Sequence, residues 1–204
     1  MPVLSNQNMF VDLSTDSFYV WGGDAPFAES TDASDLWRFA VDGEGGGSWN
    51  REAVADAELF LSIDRTERGA YTNTPDGGYV FGGEVIDSDA KRTGENKKGY
   101  VSFDFDTKEW EYETTVPYSQ DGSLWGATAT YVPGFGSREL IFLLGGMERR
   151  REQASAYLDF GRVHFFDPAS QTWYEQSTTG KVPPRRHDHC AIGVGDKKNE
   201  TYEM

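Results

Sequence analysis

The sequence predicts an all-β fold assembled from repeated four-stranded units, and three observations predict it. First, three apolar runs end in a glycine pair: Phe18 to Trp21 before Gly22-Gly23, Tyr79 to Phe81 before Gly82-Gly83, and Leu140 to Leu144 before Gly145-Gly146. The first glycine recurs after 60 and then 63 residues. Second, a tryptophan follows each pair: Trp49, Trp110 and Trp173 lie 27, 28 and 28 residues beyond the first glycine. Third, the chain is rich in residues of short strands and tight turns, with 23 Gly among 204 residues and 14% aromatics. Gly-Gly alone carries little, since it also occurs within Gly45–Gly47 and at Gly77–Gly78. The compound pattern carries the repeat.

The elements follow in order. In the first unit, strands are expected at Met9–Leu13, Phe18–Trp21, Asp35–Val41 and Ser48–Val54. In the second they fall at Ala70–Thr74, Tyr79–Phe81, Gly99–Phe105 and Glu109–Thr115. In the third they fall at Gly126–Val132, Leu140–Leu144 and Arg162–Phe166, with a fourth from Thr172 that carries Trp173. The unbroken apolar runs are second strands, buried on both faces. Pro133 to Ser137 and Asp167-Pro168 punctuate turns. After Thr179 a fourth unit opens with a strand over Arg186 to Val194, turns through Asp196 to Glu200, and begins another strand at Tyr202. Four-stranded units of this size around an axis make a β-propeller. The blades are then 8–54, 68–115 and 126–178, with the first strands of a fourth at 186–204. Propellers close with about four to eight blades, so the chain is expected to be an arc, an incomplete ring.

The glycine pairs, the aromatic third strands and Trp49, Trp110 and Trp173 resemble the kelch-repeat family, over about residue 8 to 204. Pro183 to Cys190 is similar to a kelch first strand. Long units with a Cys soon after the Arg are most similar to fungal kelch-repeat proteins. That resemblance implies a secretory signal and a first blade upstream, a membrane or cell-wall anchor downstream, and an extracellular or cell-surface location. Within the chain itself, Met1 to Phe10 has neither the basic start nor the apolar run of a signal peptide. No run of 18 apolar residues occurs.

Charge narrows the partners. Lys plus Arg number 19 against 34 Asp plus Glu, a net charge of −15. A phosphate backbone needs a basic stripe, so no nucleic-acid partner is expected. Anionic lipid is excluded on the same ground, and no membrane contact is expected within this chain. The single cysteine, Cys190, forms no internal disulfide.

The repeat residues have structural roles. Gly22, Gly23, Gly82, Gly83, Gly145 and Gly146 let the chain leave a crowded strand end, because glycine accepts φ > 0 and close backbone approach. Trp49, Trp110 and Trp173 place large apolar plates between blades. Alternate loops of a blade emerge on opposite faces. Those after strands one and three are short. Those after strands two and four are long: Asp24–Ser34, Ala55–Glu67, Glu84–Lys98, Val116–Leu124 and Met147–Phe160. The elaborated face is the expected binding face. Trp125 and Trp37, outside the repeat pattern, and the run Arg149-Arg150-Arg151 are its candidate contact residues.

The chemical inventory is thin. On a strand, His187 and His189 would share one face and Cys190 would point to the other, which removes a third metal ligand. Neither a metal nor a cofactor is expected, and no catalytic set is matched. The reading is a non-catalytic propeller that binds a protein or a glycan through its long-loop face. The alternative is a carbohydrate-active or galactose-oxidase-like enzyme on the same scaffold. Asn199-Glu200-Thr201 is an N-glycosylation sequon.

Overall fold

The computed structural model describes residues 5–24, 35–86, 92–119, 122–135, 138–148, 156–195 and 202–203. Blade 1 is an antiparallel sheet of β1 (Asn8–Asp12), β2 (Ser17–Trp21), β3 (Trp37–Val41) and β4 (Gly47–Arg51), in that order. A short helix, α1 (Ala57–Ser62), and β5 (Arg65–Glu67) follow. Blade 2 contains β6 (Ala70–Asn73) and β7 (Gly77–Phe81). An excursion through β8 (Glu84–Ile86) and β9 (Arg92–Asn96) precedes its outer strands, β10 (Tyr100–Asp104) and β11 (Trp110–Glu113). Blade 3 contains β12 (Thr128–Phe135) and β13 (Arg138–Leu144). A hairpin of β14 (Met147–Glu148) and β15 (Ala156–Tyr157) then leads to β16 (Arg162–Asp167) and β17 (Thr172–Ser177). β18 (Val194–Gly195) pairs with β19 (Tyr202–Glu203). The three four-stranded sheets are antiparallel, with their strands in sequence order across each sheet.

At each junction a carbonyl of the following segment is held by the glycine pair. The second glycine of each pair donates its N–H to the segment that opens the following unit: Gly23 to Thr66 O at 2.9 Å, Gly83 to Leu124 O at 2.7 Å and Gly146 to Arg186 O at 2.8 Å. The first glycine lies against the same carbonyl. A Cβ added at Gly22 or Gly145 would sit 2.8 Å from the oxygen of Thr66 or Arg186, and one at Gly82 would come closer still to that of Leu124. All six glycines have positive φ. The pair is therefore fixed by two requirements at once, a left-handed backbone and the absence of a side chain.

The core lies between blades. Blade 1 contributes Phe10, Tyr19 and Trp21 to a cluster with Val80, Val101, Phe103 and Trp110 of blade 2. Trp110 is 3% exposed and stacks on Phe103 at 4.8 Å, with Trp21 across the junction at 4.9 Å. Trp173 repeats this at the next junction, packing on Phe166 of its own blade and on Phe81 and Tyr100 of blade 2. Trp49 departs from the expectation. It packs on Phe18 and Phe39 within blade 1 and remains 36% exposed. The register explains this: the row Phe18, Phe39, Trp49 matches Gly78, Phe103, Trp110 and Ile141, Phe166, Trp173, which face the preceding blade. Among the described residues no blade covers the row in blade 1.

Other expectations are corrected. Arg186 to Gly193 do not form a strand, because backbone groups there bond to blade 3: the Gly146 N–H to Arg186 O and the Asp188 N–H to Gly126 O. The span Ala55–Glu67, expected as a loop, holds α1, capped by the Asp56 carboxylate on the Leu59 N–H, and places Phe60 and Ile63 in the core. The loops Glu84–Lys98 and Met147–Phe160 contain strands β8, β9, β14 and β15.

Truncation should follow the packing. Trp110→Ala is expected to lower unfolding stability by about 3–5 kcal/mol, and Trp49→Ala by only about 1 kcal/mol, as measured by urea denaturation. Glycines should differ in the same assay. Gly82→Ala should cost at least about 3 kcal/mol, since it meets both backbone strain and a carbonyl. Gly43→Ala has positive φ but nothing within 4 Å, and should cost about 1 kcal/mol.

Candidate functional site

Described parts of four long loops are tied together; residues 25–34 of the loop Asp24–Ser34 and 149–155 of the loop Met147–Phe160 lie outside the described residues. β5, from the connection after blade 1, and β8 and β9, from the loop after strand two of blade 2, form one three-stranded sheet. Isolated bridges Ser5–Asp24, Lys98–Ser123 and Trp125–Met147 tie the loops to neighbouring segments. Loop polarity does not prevent this assembly, because backbone groups supply the pairing.

Four residues at equivalent stations of successive units share one conformation: Asn6, Arg68, Gly126 and Asp188 have φ of 54, 56, 62 and 49°. The backbones of the last three form a ladder, with the Gly126 N–H on Arg68 O at 3.0 Å and the Asp188 N–H on Gly126 O at 2.8 Å. The residues just before them, Glu67, Trp125 and His187, line up beside it. The Arg68 guanidinium stands 5.1 Å from the Trp125 ring centre, and the His187 ring lies 5.1 Å from that ring and 5.6 Å from Tyr157. His187 Nδ1 is 2.9 Å from the Asp188 carboxylate. Glu67 is fully buried and accepts from the Asn6 amide at 3.1 Å.

A cleft of about 590 Å³ opens between blade 3 and the connection that follows blade 2. Tyr118, Tyr157, Glu148, Arg162, His164 and Glu175 line it. His164 is 9% exposed, with Nε2 3.6 Å from Glu175. Burial holds its imidazole below the usual range; Glu175 opposes this and Arg162 reinforces it.

Of the residues singled out from sequence, Trp125 is in this assembly, half-buried between Arg68 and His187. Trp37 is not. It lies on β3 on the side of Phe39 and Trp49, with the Arg51 guanidinium 5.6 Å from its ring. Arg149, Arg150, Arg151 and Asn199 lie outside the described residues. The strand geometry expected for His187 and His189 is replaced by a break at Asp188, and His189 packs instead against Phe160 at 6.0 Å. Cys190 is exposed. Among the described residues no three His, Cys, Asp or Glu side chains converge as metal ligands. Sequence reasoning missed Glu67, Arg68, Tyr157 and His164. The spacing of 62, 58 and 62 residues along Asn6, Arg68, Gly126 and Asp188 is a signal, hidden by four different side chains.

The imidazole gives a pH dependence. Unfolded His164 takes a proton near its ordinary value of 6.5, whereas the folded residue resists it. The unfolded state then binds more protons, so this contribution is complete above that value and falls as the pH drops below it. Stability measured by urea from about pH 7.5 to about 5.5 should decline, and His164→Gln should flatten the decline.

Known proteins match the chain as follows. The KLHDC2/KLHL20/DRC7 kelch-repeats domain matches residues 2–199. A kelch repeat-containing protein of Arthroderma benhamiae is 25% identical over 231 aligned positions, covering 95% of this chain and 33% of its own length. The solved structure of YjhT superposes with a TM-score of 0.58 at 12% identity, over 88% of this chain and 52% of that one. The chain thus spans about a third of its curated relative and about half of its structural neighbour. At that identity the structural likeness shows the fold alone. Junction glycines, inter-blade tryptophans and a family match along nearly the whole length agree, and the chain belongs to the kelch-repeat family.

Proposed function

We propose that the chain is a non-catalytic binding scaffold whose long-loop face takes a protein segment. The observation that carries this reading is the assembly of the long loops, which places a cleft of about 590 Å³ beside the Arg68–Trp125–His187 row. A kelch-repeat propeller supports a binding scaffold in general. The lining supports a peptide in particular: it offers both signs of charge in the exposed Glu175 and Arg162, with the exposed ring of Tyr157 for an apolar side chain. The two imidazoles on this face, His164 and His187, each lie beside a carboxylate, in Glu175 and Asp188.

Peptides selected from a displayed random library against the purified chain test the reading, with a glycan array run in parallel. Tyr157→Ala and Trp125→Ala should each weaken the selected peptides about tenfold or more, the usual scale for truncating a central aromatic. Tyr174→Ala, an exposed ring on outer strand β17, should leave them unchanged. Selection of glycans alone, or equal loss in all three variants, would refute it.

A further inference from the structure

A second recess lies between blades 2 and 3 on the opposite, short-loop face. Its volume is about 200 Å³, which equals roughly seven liquid waters at about 30 Å³ each. Its rim carries the carboxylates of Asp76, Asp104, Glu109 and Glu111, and its lining includes Tyr79, Tyr100, Phe103 and Phe166. Among the described residues no Lys, Arg or His lines it. Lys108, in the turn that follows Asp104, reaches the other way, donating to Tyr19 Oη at 2.8 Å and to the Phe105 carbonyl. The Gln171 amide of blade 3 donates to Glu111 Oε2 at 3.1 Å and fixes that carboxylate across the junction.

The floor supplies an independent observation. Tyr100 is 3% exposed and packed at 4.8 Å on Phe166. Its hydroxyl makes no hydrogen bond among the described residues, and Tyr100 lines the recess, so the phenol can bond a ligand there. Burial, followed by nearby negative charge, pushes both Tyr79 and Tyr100 up to about 12, and Glu111 acts on both. Both phenols are therefore neutral and sit in the field of the rim.

We propose that this recess binds one protonated organic amine or guanidinium, as a lysine or arginine side chain presented by a partner protein. The exposed carboxylates give it charge complementarity without full desolvation of an ion pair. The aromatic walls accept the aliphatic stem and the cation. A metal ion fits less well. Calcium takes about six to eight oxygens at about 2.3–2.6 Å, whereas no three described carboxylates converge at metal-ligand range. The recess is separate from the long-loop face, so either reading can fail alone.

Titration of the ¹⁵N-labelled chain tests the proposal, with N-acetyl-arginine amide and N-acetyl-lysine amide as cationic probes. N-acetyl-glutamine amide serves as the neutral probe and calcium chloride as the metal. The cationic probes should shift the amides of Gly77, Ser102 and Glu111, and the neutral probe should not. The double variant Asp76→Asn/Glu111→Gln should weaken binding about tenfold. Tyr100→Phe should weaken it about threefold while leaving the near-ultraviolet circular dichroism unchanged. Equal shifts from the neutral probe, unchanged affinity in the double variant, or saturation by calcium at lower concentration would each overturn the proposal.

Discussion

The arrangement depends on a single close approach repeated at each junction. A carbonyl from the segment opening one unit, at Thr66, Leu124 or Arg186, enters the space that side chains would occupy at the glycine pair of the unit before. It receives an N–H from the second glycine and lies against the first. The bond is modest by itself, about 1 kcal/mol for a backbone hydrogen bond. Its importance is positional. By setting how far one blade stands from the next, it determines which rings meet in the gap, and the aromatic clusters of the two junctions fill the distance it leaves.

Within that spacing, most of the apolar burial lies between sheets rather than inside any one of them. Phe10 of blade 1 occupies the room left by the missing side chain of Gly78 in blade 2. Asn73 of blade 2 answers with a pair of hydrogen bonds to the backbone of Val11, at 3.2 and 3.0 Å. A blade has little core of its own, so its stability is largely a nearest-neighbour property. The contrast between Trp110 and Trp49 follows directly: the two occupy one station in the repeat, and their burial differs with what stands opposite.

The sequence carried the blades well because the second strands are apolar runs stopped by glycine, a boundary marked on both sides by chemistry. It carried the loops poorly. β5 and β9 are polar and β8 has only three residues, Glu84-Val85-Ile86; all are held by backbone pairing, which leaves no alternation to read. Helix α1 has six residues, too few for a periodic signal, and is held by Phe60 and Ile63 in a core formed by distant strands. That Ala55–Glu67, Glu84–Lys98 and Val116–Leu124 are neighbours was suggested by their length, and Trp125 stood out because it broke the pattern. His187 was misread because strand alternation was carried through Asp188, whose left-handed backbone interrupts it. Glu67 gave no signal, and Arg68 only the unit-length spacing, since their significance comes from neighbours in other units.

The ladder beside the axis has a consequence for variation. Asn6, Arg68, Gly126 and Asp188 share one backbone geometry while having an amide, a guanidinium, no side chain and a carboxylate. The links from Arg68 to Gly126 and from Gly126 to Asp188 run through main-chain atoms. The scaffold thus admits different polar groups at stations that border the long-loop face, provided each tolerates a left-handed backbone; Gly126, with the Asp188 nitrogen 3.1 Å from where a Cβ would sit, is the exception. Substitution there can redraw the surface a partner meets without renegotiating the architecture, so recognition can diversify in such a chain while its shape stays constant.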